Sequence, residues 1–349
     1  MALSRNEALA LAIGTQVGAG VLGLPYAARK IGLIPSVALM FLVASIMYIT
    51  ALFVLELSAK NGGKQMSTLA REILGRPGGV LMFASISLMS YGALLAYIAG
   101  GGSVFANLFG ISEEMGALVF WAFASFIIYR GLEMSGKSEL ILSGVLLALF
   151  VVVAIMAIPH TKVENAFYMG SEGIVTLFGV AIFAFGCHTI VPDIYKGLRS
   201  YEEAKKVLLL AFLVPAIVYS LFVASFLLVF GENTPQIATQ ALEQLYGRIG
   251  MLVGSLIPIF AILTSYIGLG LAQLDNMEEY LKMNRKSAWI ITVFPPLILY
   301  MVGIRDFVEV LGAAGSTGDL MAFIIMPIVL YITYKLKPEF LRDREAEVS

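Results

Sequence analysis

The sequence is poor in charge, has only two histidines and contains a single cysteine. Of its 349 residues, 13% are Asp, Glu, Lys or Arg, against about 25% in a soluble domain. A soluble fold of this length could not cover its surface with so few polar groups, which excludes soluble, nucleic-acid-binding and disordered classes. The net charge of −1, from 23 basic and 24 acidic residues, implies no polyanionic partner. One cysteine, Cys187, excludes a disulfide framework. With His160 and His188 as the only histidines, no zinc ligand set is expected. No His-Glu-x-x-His, paired-aspartate or Gly-x-Ser-x-Gly pattern is present, so no intramembrane hydrolase chemistry is expected. Cys187 and His188 are adjacent and cannot easily face each other on a helix. The start, Met1-Ala-Leu-Ser-Arg-Asn-Glu7, runs straight into apolar sequence without a small-residue cleavage site. The expectation is a protein that is not an enzyme and carries no cofactor.

What is present is apolar: 59% of the chain, with a mean hydropathy of +0.88. Crossing a bilayer takes about 20 mostly apolar residues. Ten such runs can be read, at 7–28, 33–58, 79–108, 115–130, 138–158, 172–196, 205–230, 249–274, 287–303 and 317–334. Lipid offers no hydrogen-bond partner, so each run is a helix, or a broken helix whose loose backbone lines a cavity. All but five of the 23 basic residues (Arg29, Lys30, Lys162, Arg248 and Arg305) fall on one side of this arrangement. Basic residues gather on the cytoplasmic side. The expectation is an all-α, polytopic protein of the cell membrane with both termini cytoplasmic, its partners the lipid bilayer and a small molecule, with no obligatory protein partner.

Two runs refuse to be regular. The first places Gly14, Gly18, Gly20, Gly23 and Pro25 in one helix, with Thr15 and Gln16 among them. Each glycine costs about 1 kcal/mol against alanine. Gly14-x-x-x-Gly18 would also serve tight helix packing, but polar side chains among the glycines at membrane depth argue for a break. The sixth run repeats the pattern with Gly186-Cys-His-Thr189 and Pro192. The two breaks lie about half the chain length apart. Two halves of five spans each must be inverted relative to one another, which divides the chain into 1–160, 171–336 and a cytoplasmic tail, 337–349. Half-helix N-termini offer N–H groups and positive dipole to a carboxylate. Half-helix C-termini and unwound carbonyls suit a cation or an ammonium group. A zwitterionic amino acid presents both charges on one carbon.

The residues then carry a resemblance. Gly14-Thr-Gln-Val-Gly-Ala-Gly-Val-Leu-Gly-Leu-Pro-Tyr26 resembles the first-helix signature of the amino acid/auxin permease group. Phe185-Gly-Cys-His-Thr-Ile-Val-Pro-Asp-Ile-Tyr195 is similar to its sixth-helix stretch, and the run from Phe260 to Asp275 looks like the eighth helix of the hydroxy/aromatic amino acid permeases. The resemblance, within the amino acid-polyamine-organocation superfamily, implies a leucine-transporter-like fold and secondary active import of amino acids. It implies that the N–H groups of Gly18, Ala19 and Gly20 bind the substrate carboxylate, and that carbonyls around Thr15, Phe183 and Ala184 receive its amino group. Phe185 and Gly186 would border the side-chain pocket, with Tyr91 capping the carboxylate and Tyr97 as the alternative. The room at Gly186 favours aromatic or large neutral substrates.

For the coupling ion, the resemblance implies sodium between helices 1 and 8, held by Gly14, Val17, Ala261, Thr264 and Ser265. The hydroxyls of Thr264 and Ser265 would otherwise bond back to their own helix. A proton carried by His188, which titrates near neutrality, is the alternative. Asp193 and Glu56 lie toward span ends, and Asp319 is expected at the outer start of the tenth span. A non-transporting amino-acid sensor is a more remote reading, disfavoured because the tails are short.

Overall fold

Long apolar runs that must satisfy their own backbone leave helix as the only local structure, and the computed structural model, which describes residues 3–130 and 136–337, contains no strand among them. The helices are α1 (Arg5–Gln16), α2 (Gly20–Ala28), α3 (Leu33–Lys60), α4 (Met66–Phe109), α5 (Glu113–Arg130), α6 (Gly136–Ala157), α7 (Ile174–Ala184), α8 (Val191–Leu198), α9 (Tyr201–Phe230), α10 (Leu242–Leu281), α11 (Arg285–Met301), α12 (Phe307–Ala314) and α13 (Met326–Leu336). A π-helical segment, Gly315–Ile325, joins α12 to α13 in one continuous span. The tail placed at 337–349 lies, apart from Lys337, outside the described residues.

Six helical stretches are long and apolar enough to cross a membrane alone, and the pair α1–α2, bent by 53°, makes a seventh. Three more complete the ten. The helix α5 has 18 residues with Glu113, Glu114 and Arg130 at its ends, and α11 has 17. For α6, the apolar part is the stretch Gly144–His160. Local signals set the ends. Ser4 and Glu7 form a reciprocal capping box before α1, and Ser200, Asn284 and Asp306 cap α9, α11 and α12 through their side chains. Left-handed Gly75 and Gly247 bend α4 and α10 before their spans begin. The two kinks occupy equivalent points, each leading into the third span of its half, as an inverted five-plus-five repeat requires.

The tenth span corrects the sequence reading. It starts at Phe307, not near residue 317, so Asp319 sits well inside it rather than at its outer start. The run Gly312-Ala-Ala-Gly-Ser-Thr-Gly318 looks like a loop because glycine is a poor helix former. Here it is helical because the glycines allow backbone-to-backbone contact. A Cβ at Gly315 would run into the Gly179 carbonyl of α7, and one at Gly318 would meet the Met89 nitrogen of α4. The broken helices lie inside the bundle: α2 and α12 flank α7, α9 backs α1 and α2, and α4 and α10 pack side by side.

Gly315→Val should therefore wedge α12 away from α7 and cost about 1–3 kcal/mol, as overpacking does. A Cβ at Gly144 meets nothing within 4 Å, so Gly144→Ala should leave the melting temperature in detergent unchanged or slightly raised. Equal melting of Gly315→Val and wild type would contradict the close contact.

Candidate substrate and cation site

The first helix stops because its donors leave the helical ladder. Val17 N–H still reaches Ile13 O (2.8 Å), but Gly18 N–H turns back to Gln16 O (3.0 Å) and Ala19 N–H donates to Ser265 Oγ on α10 (3.3 Å). The carbonyls of Gly14 and Thr15 thereby lose the i+4 donors that a continuous helix would give them. The Gln16 carbonyl is held by the Tyr219 hydroxyl (2.8 Å). On the other side of the break, Gly20 and Val21 present the open N–H groups of α2. The break thus offers carbonyl oxygens from one half-helix and N–H groups from the other.

The sixth span breaks more widely. Phe185 N–H closes the last turn of α7 on Ala181 O, Gly186 N–H folds onto Phe183 O (3.2 Å), and a 3₁₀ turn, His188–Ile190, leads to α8 with Pro192 in its first turn. Close approach is compulsory between the two breaks. A Cβ at Gly20 would come within 2.9 Å of the Phe183 ring and 3.3 Å of the Ala184 Cα.

Both breaks open on one cavity of about 480 Å³. Of the residues expected from the sequence, Gly14, Thr15, Val17, Gly18, Gly20, Phe183, Ala184, Gly186, Thr264 and Ser265 line it. Ala19 contributes its bond to Ser265 from just behind the wall. Ala261 is buried one turn below Thr264, and its carbonyl accepts from the Thr264 hydroxyl (3.3 Å), which also donates to Phe260 O (2.7 Å). Three expected residues stand elsewhere. Tyr91 points its hydroxyl at Ile291 O (2.9 Å), and Tyr97 lines the cavity in its place, with Ser265 and Asp319 as polar neighbours. Phe185 is fully buried against Tyr219, ring centroids 5.4 Å apart. His188 is fully buried behind the wall, with Nε2 2.9 Å from Thr50 Oγ1 and its ring stacked at 4.8 Å on Phe323.

Sequence reasoning missed Met89, Phe323 and Asp319 as lining residues. Nothing in the local pattern marks Met89 or Phe323. The signal for Asp319 was a carboxylate inside an apolar run, which marks a functional position. Among the described residues, no three His, Cys, Asp or Glu side chains converge on a common point.

Gly14, Val17, Thr264 and Ser265 bring neutral oxygen-bearing groups to the side of the cavity between α1 and α10, with Ala261 one turn below Thr264. Thr264 directs its proton into its own helix, and Ser265 spends one lone pair on Ala19 N–H, so both oxygens keep lone pairs.

Two helices interrupted at matching points, with backbone donors and acceptors turned into one cavity, define a broken-helix membrane carrier. The chain belongs to the tryptophan/tyrosine permease family, whose profile matches residues 4–340. It is 27% identical to tyrosine-specific transport system 1 of Haemophilus influenzae, over 92% of this chain and 86% of that protein. It is 24% identical to glutamine transporter 2 of Aliivibrio fischeri, over 93% and 87%. Among solved structures it resembles MhsT in complex with L-phenylalanine, with a TM-score of 0.66 and 16% identity over 97% of this chain and 91% of that one. The fold is that of the leucine-transporter-like carriers. The protein is a multi-pass membrane transporter of an amino acid transport family and not an enzyme.

Substitutions should separate the two tyrosines. Tyr97→Phe should weaken amino acid binding about tenfold, as loss of a buried hydrogen bond to a charged group does, while Tyr91→Phe should leave it within twofold. Gly20→Val should abolish binding in a protein that remains monodisperse. Binding to the detergent-purified variants, followed by scintillation proximity or calorimetry, checks all three.

Proposed function

We propose that the protein imports aromatic or other large neutral amino acids across the cell membrane by alternating access, coupled to sodium. The observation that carries this reading is the unwinding at Val17–Ala19, which frees the Gly14 and Thr15 carbonyls and opens the α2 N–H groups around a single cavity. The substrate carboxylate sits at the N-terminal end of α2, near Gly18, Ala19 and Gly20, with the Tyr97 hydroxyl above it. The ammonium group faces the carbonyls of Thr15 and the end of α7 around Phe183 and Ala184. The cavity falls within the range of about 300–1,000 Å³ typical of small-molecule sites. Its lining includes Phe183, Gly186 and Phe323, which supports an aromatic side chain beside them.

In this reading sodium bridges α1 and α10 through Gly14, Val17, Ala261, Thr264 and Ser265. It would tie the unwound segment to the scaffold at the moment when substrate is bound. The chain divides into repeats at 1–160 and 171–336, with both termini and the 337–349 tail in the cytoplasm. Kinship with the wider amino acid/auxin permease group and the amino acid-polyamine-organocation superfamily follows from the first- and sixth-helix motifs. A second reading makes His188 a proton carrier. It is favoured by an Nδ1 that makes no hydrogen bond while Nε2 is held at Thr50.

Uptake of tyrosine, tryptophan and phenylalanine into proteoliposomes decides between them. A sodium gradient alone should drive uptake, and Thr264→Ala with Ser265→Ala should abolish the stimulation. Sodium and substrate should raise each other's affinity by the same factor. Uptake driven only by a pH gradient, and lost in His188→Ala, would reject sodium. Enlarging Gly186 to valine, whose Cβ would press on the Phe323 ring at 2.8 Å, should shift preference toward smaller amino acids. An unchanged rank order would remove Gly186 from the side-chain pocket.

A further inference from the structure

Asp319 occupies the one π-helical segment described, Gly315–Ile325. Such wide turns are uncommon and concentrate at functional sites. Its placement is fixed on two sides, because Gly315 rests on the Gly179 backbone of α7 and Gly318 on the Ser85 and Met89 backbone of α4. The side chain lines the cavity, yet the residue is only 1% exposed and Oδ2 makes no hydrogen bond. A buried carboxylate without a partner is expensive and either takes up a proton or meets a cation, and the cavity gives a cationic ligand group access to this one.

The groups around it show where that cation must come from. Among the described lining residues only Asp275 and Asp319 are charged, and Asp275 is paired with Arg285 (3.7 Å) at the far end of α10. Among the described residues, no Lys, Arg or His side chain lines the cavity. Facing Asp319 from α4 is Tyr97, while the nearest imidazole, His188, is engaged with Thr50 and separated from the cavity by the Phe323 ring.

We propose that Asp319 recognises the ammonium group of the bound amino acid. The proposal rests on the reading that this cavity holds the substrate. Tyr97, Ser265 and Asp319 line the same cavity, and Ser265 holds the Ala19 N–H beside the open end of α2. An amino acid carries its carboxylate and ammonium on one carbon, so a carboxylate seated at α2 places the ammonium within reach of a group one side chain away. The substrate then supplies the missing cation, and the unwound carbonyls of α1 complete its donor-acceptor set. Amines without a carboxylate lack the α2 contact, and acids without an amine leave Asp319 beside a second negative charge.

The test compares an amino acid with its desamino counterpart on the purified full chain, using tyrosine against 3-(4-hydroxyphenyl)propanoate. In wild type the desamino acid should bind at least tenfold more weakly. In Asp319→Asn the affinity for tyrosine should fall tenfold or more while that for the desamino acid holds or rises as the repulsion is relieved, and Asp319→Glu should recover part of the loss. A parallel fall for both ligands would mean that the carboxylate only supports the structure and would overturn the proposal. So would unchanged tyrosine binding with a lost pH dependence of uptake, which would make Asp319 a proton carrier. Should Asp319→Asn not fold, equal wild-type affinity for tyrosine and its desamino acid would suffice to overturn it. If tyrosine does not bind but another of the twenty amino acids does, the aromatic reading fails, and the same comparison with that amino acid and its desamino acid still decides Asp319. Absence of binding by all twenty would remove both.

Discussion

A backbone group that loses its helical partner inside a bilayer has no water to turn to, and the whole centre of this protein is arranged around that constraint. The Ala19 N–H finds Ser265 Oγ, the Gly18 N–H finds Gln16 O, and Tyr219 covers the Gln16 carbonyl. Each partner comes from a different place: a neighbouring helix, the same turn, and α9. The break is stable because it is satisfied from three directions. What it cannot satisfy internally, the carbonyls of Gly14 and Thr15 and the first N–H groups of α2, it leaves facing the cavity. Ligand recognition is the remainder of a hydrogen-bond account that the fold nearly closes.

Ser265 is the hinge of that account. It stands on α10, accepts from the broken first span and lies beside Tyr97 of α4. The close approach is real: a Cβ on Gly18 would collide with its hydroxyl. Glycine at 18 and 20 therefore does two things. It lowers the cost of unwinding, and it lets α10 and α7 come near enough to supply partners for what unwinding exposes. Outside this centre the ion pairs lie at helix ends. Lys335 of α13 and Lys60 of α3 meet on Glu56, and Arg305 meets Glu114. Such half-exposed pairs contribute little stability, and burial of apolar helix faces holds the bundle.

Much of this was legible in the sequence, for identifiable reasons. The two breaks announce themselves because glycine, proline and polar side chains at membrane depth have few other uses. The span count follows from length and from the placement of lysine and arginine. The choice between Tyr91 and Tyr97 was not legible. Six residues apart on one helix, they point about 120° away from each other, and only the packing of α4 says which direction is inward. Phe185 was expected at the pocket because the sixth helix loses its regularity there, yet the end of α7 turns it toward Tyr219 and leaves Phe183 on the cavity side. Asp319 was displaced for a different reason. A glycine-rich run is a poor helix on its own, and only contact with α7 and α4 makes it the middle of a span.

The same glycine run gives the tenth span an unusual border. Where Gly312 and Gly315 lie against Thr176 and Gly179, backbone meets backbone with almost no side chain between. Most helix pairs interlock through ridges and grooves, and sliding one past the other means lifting ridges out of their holes. A border without ridges resists separation, because its van der Waals contact is close, but opposes translation along the helix axis only weakly. Small shear displacements of packed helices are one of the ways that proteins change state. The first half of the sixth span, α7, and the segment bearing Asp319 thus form a bearing surface, smooth in one direction and tight in the other.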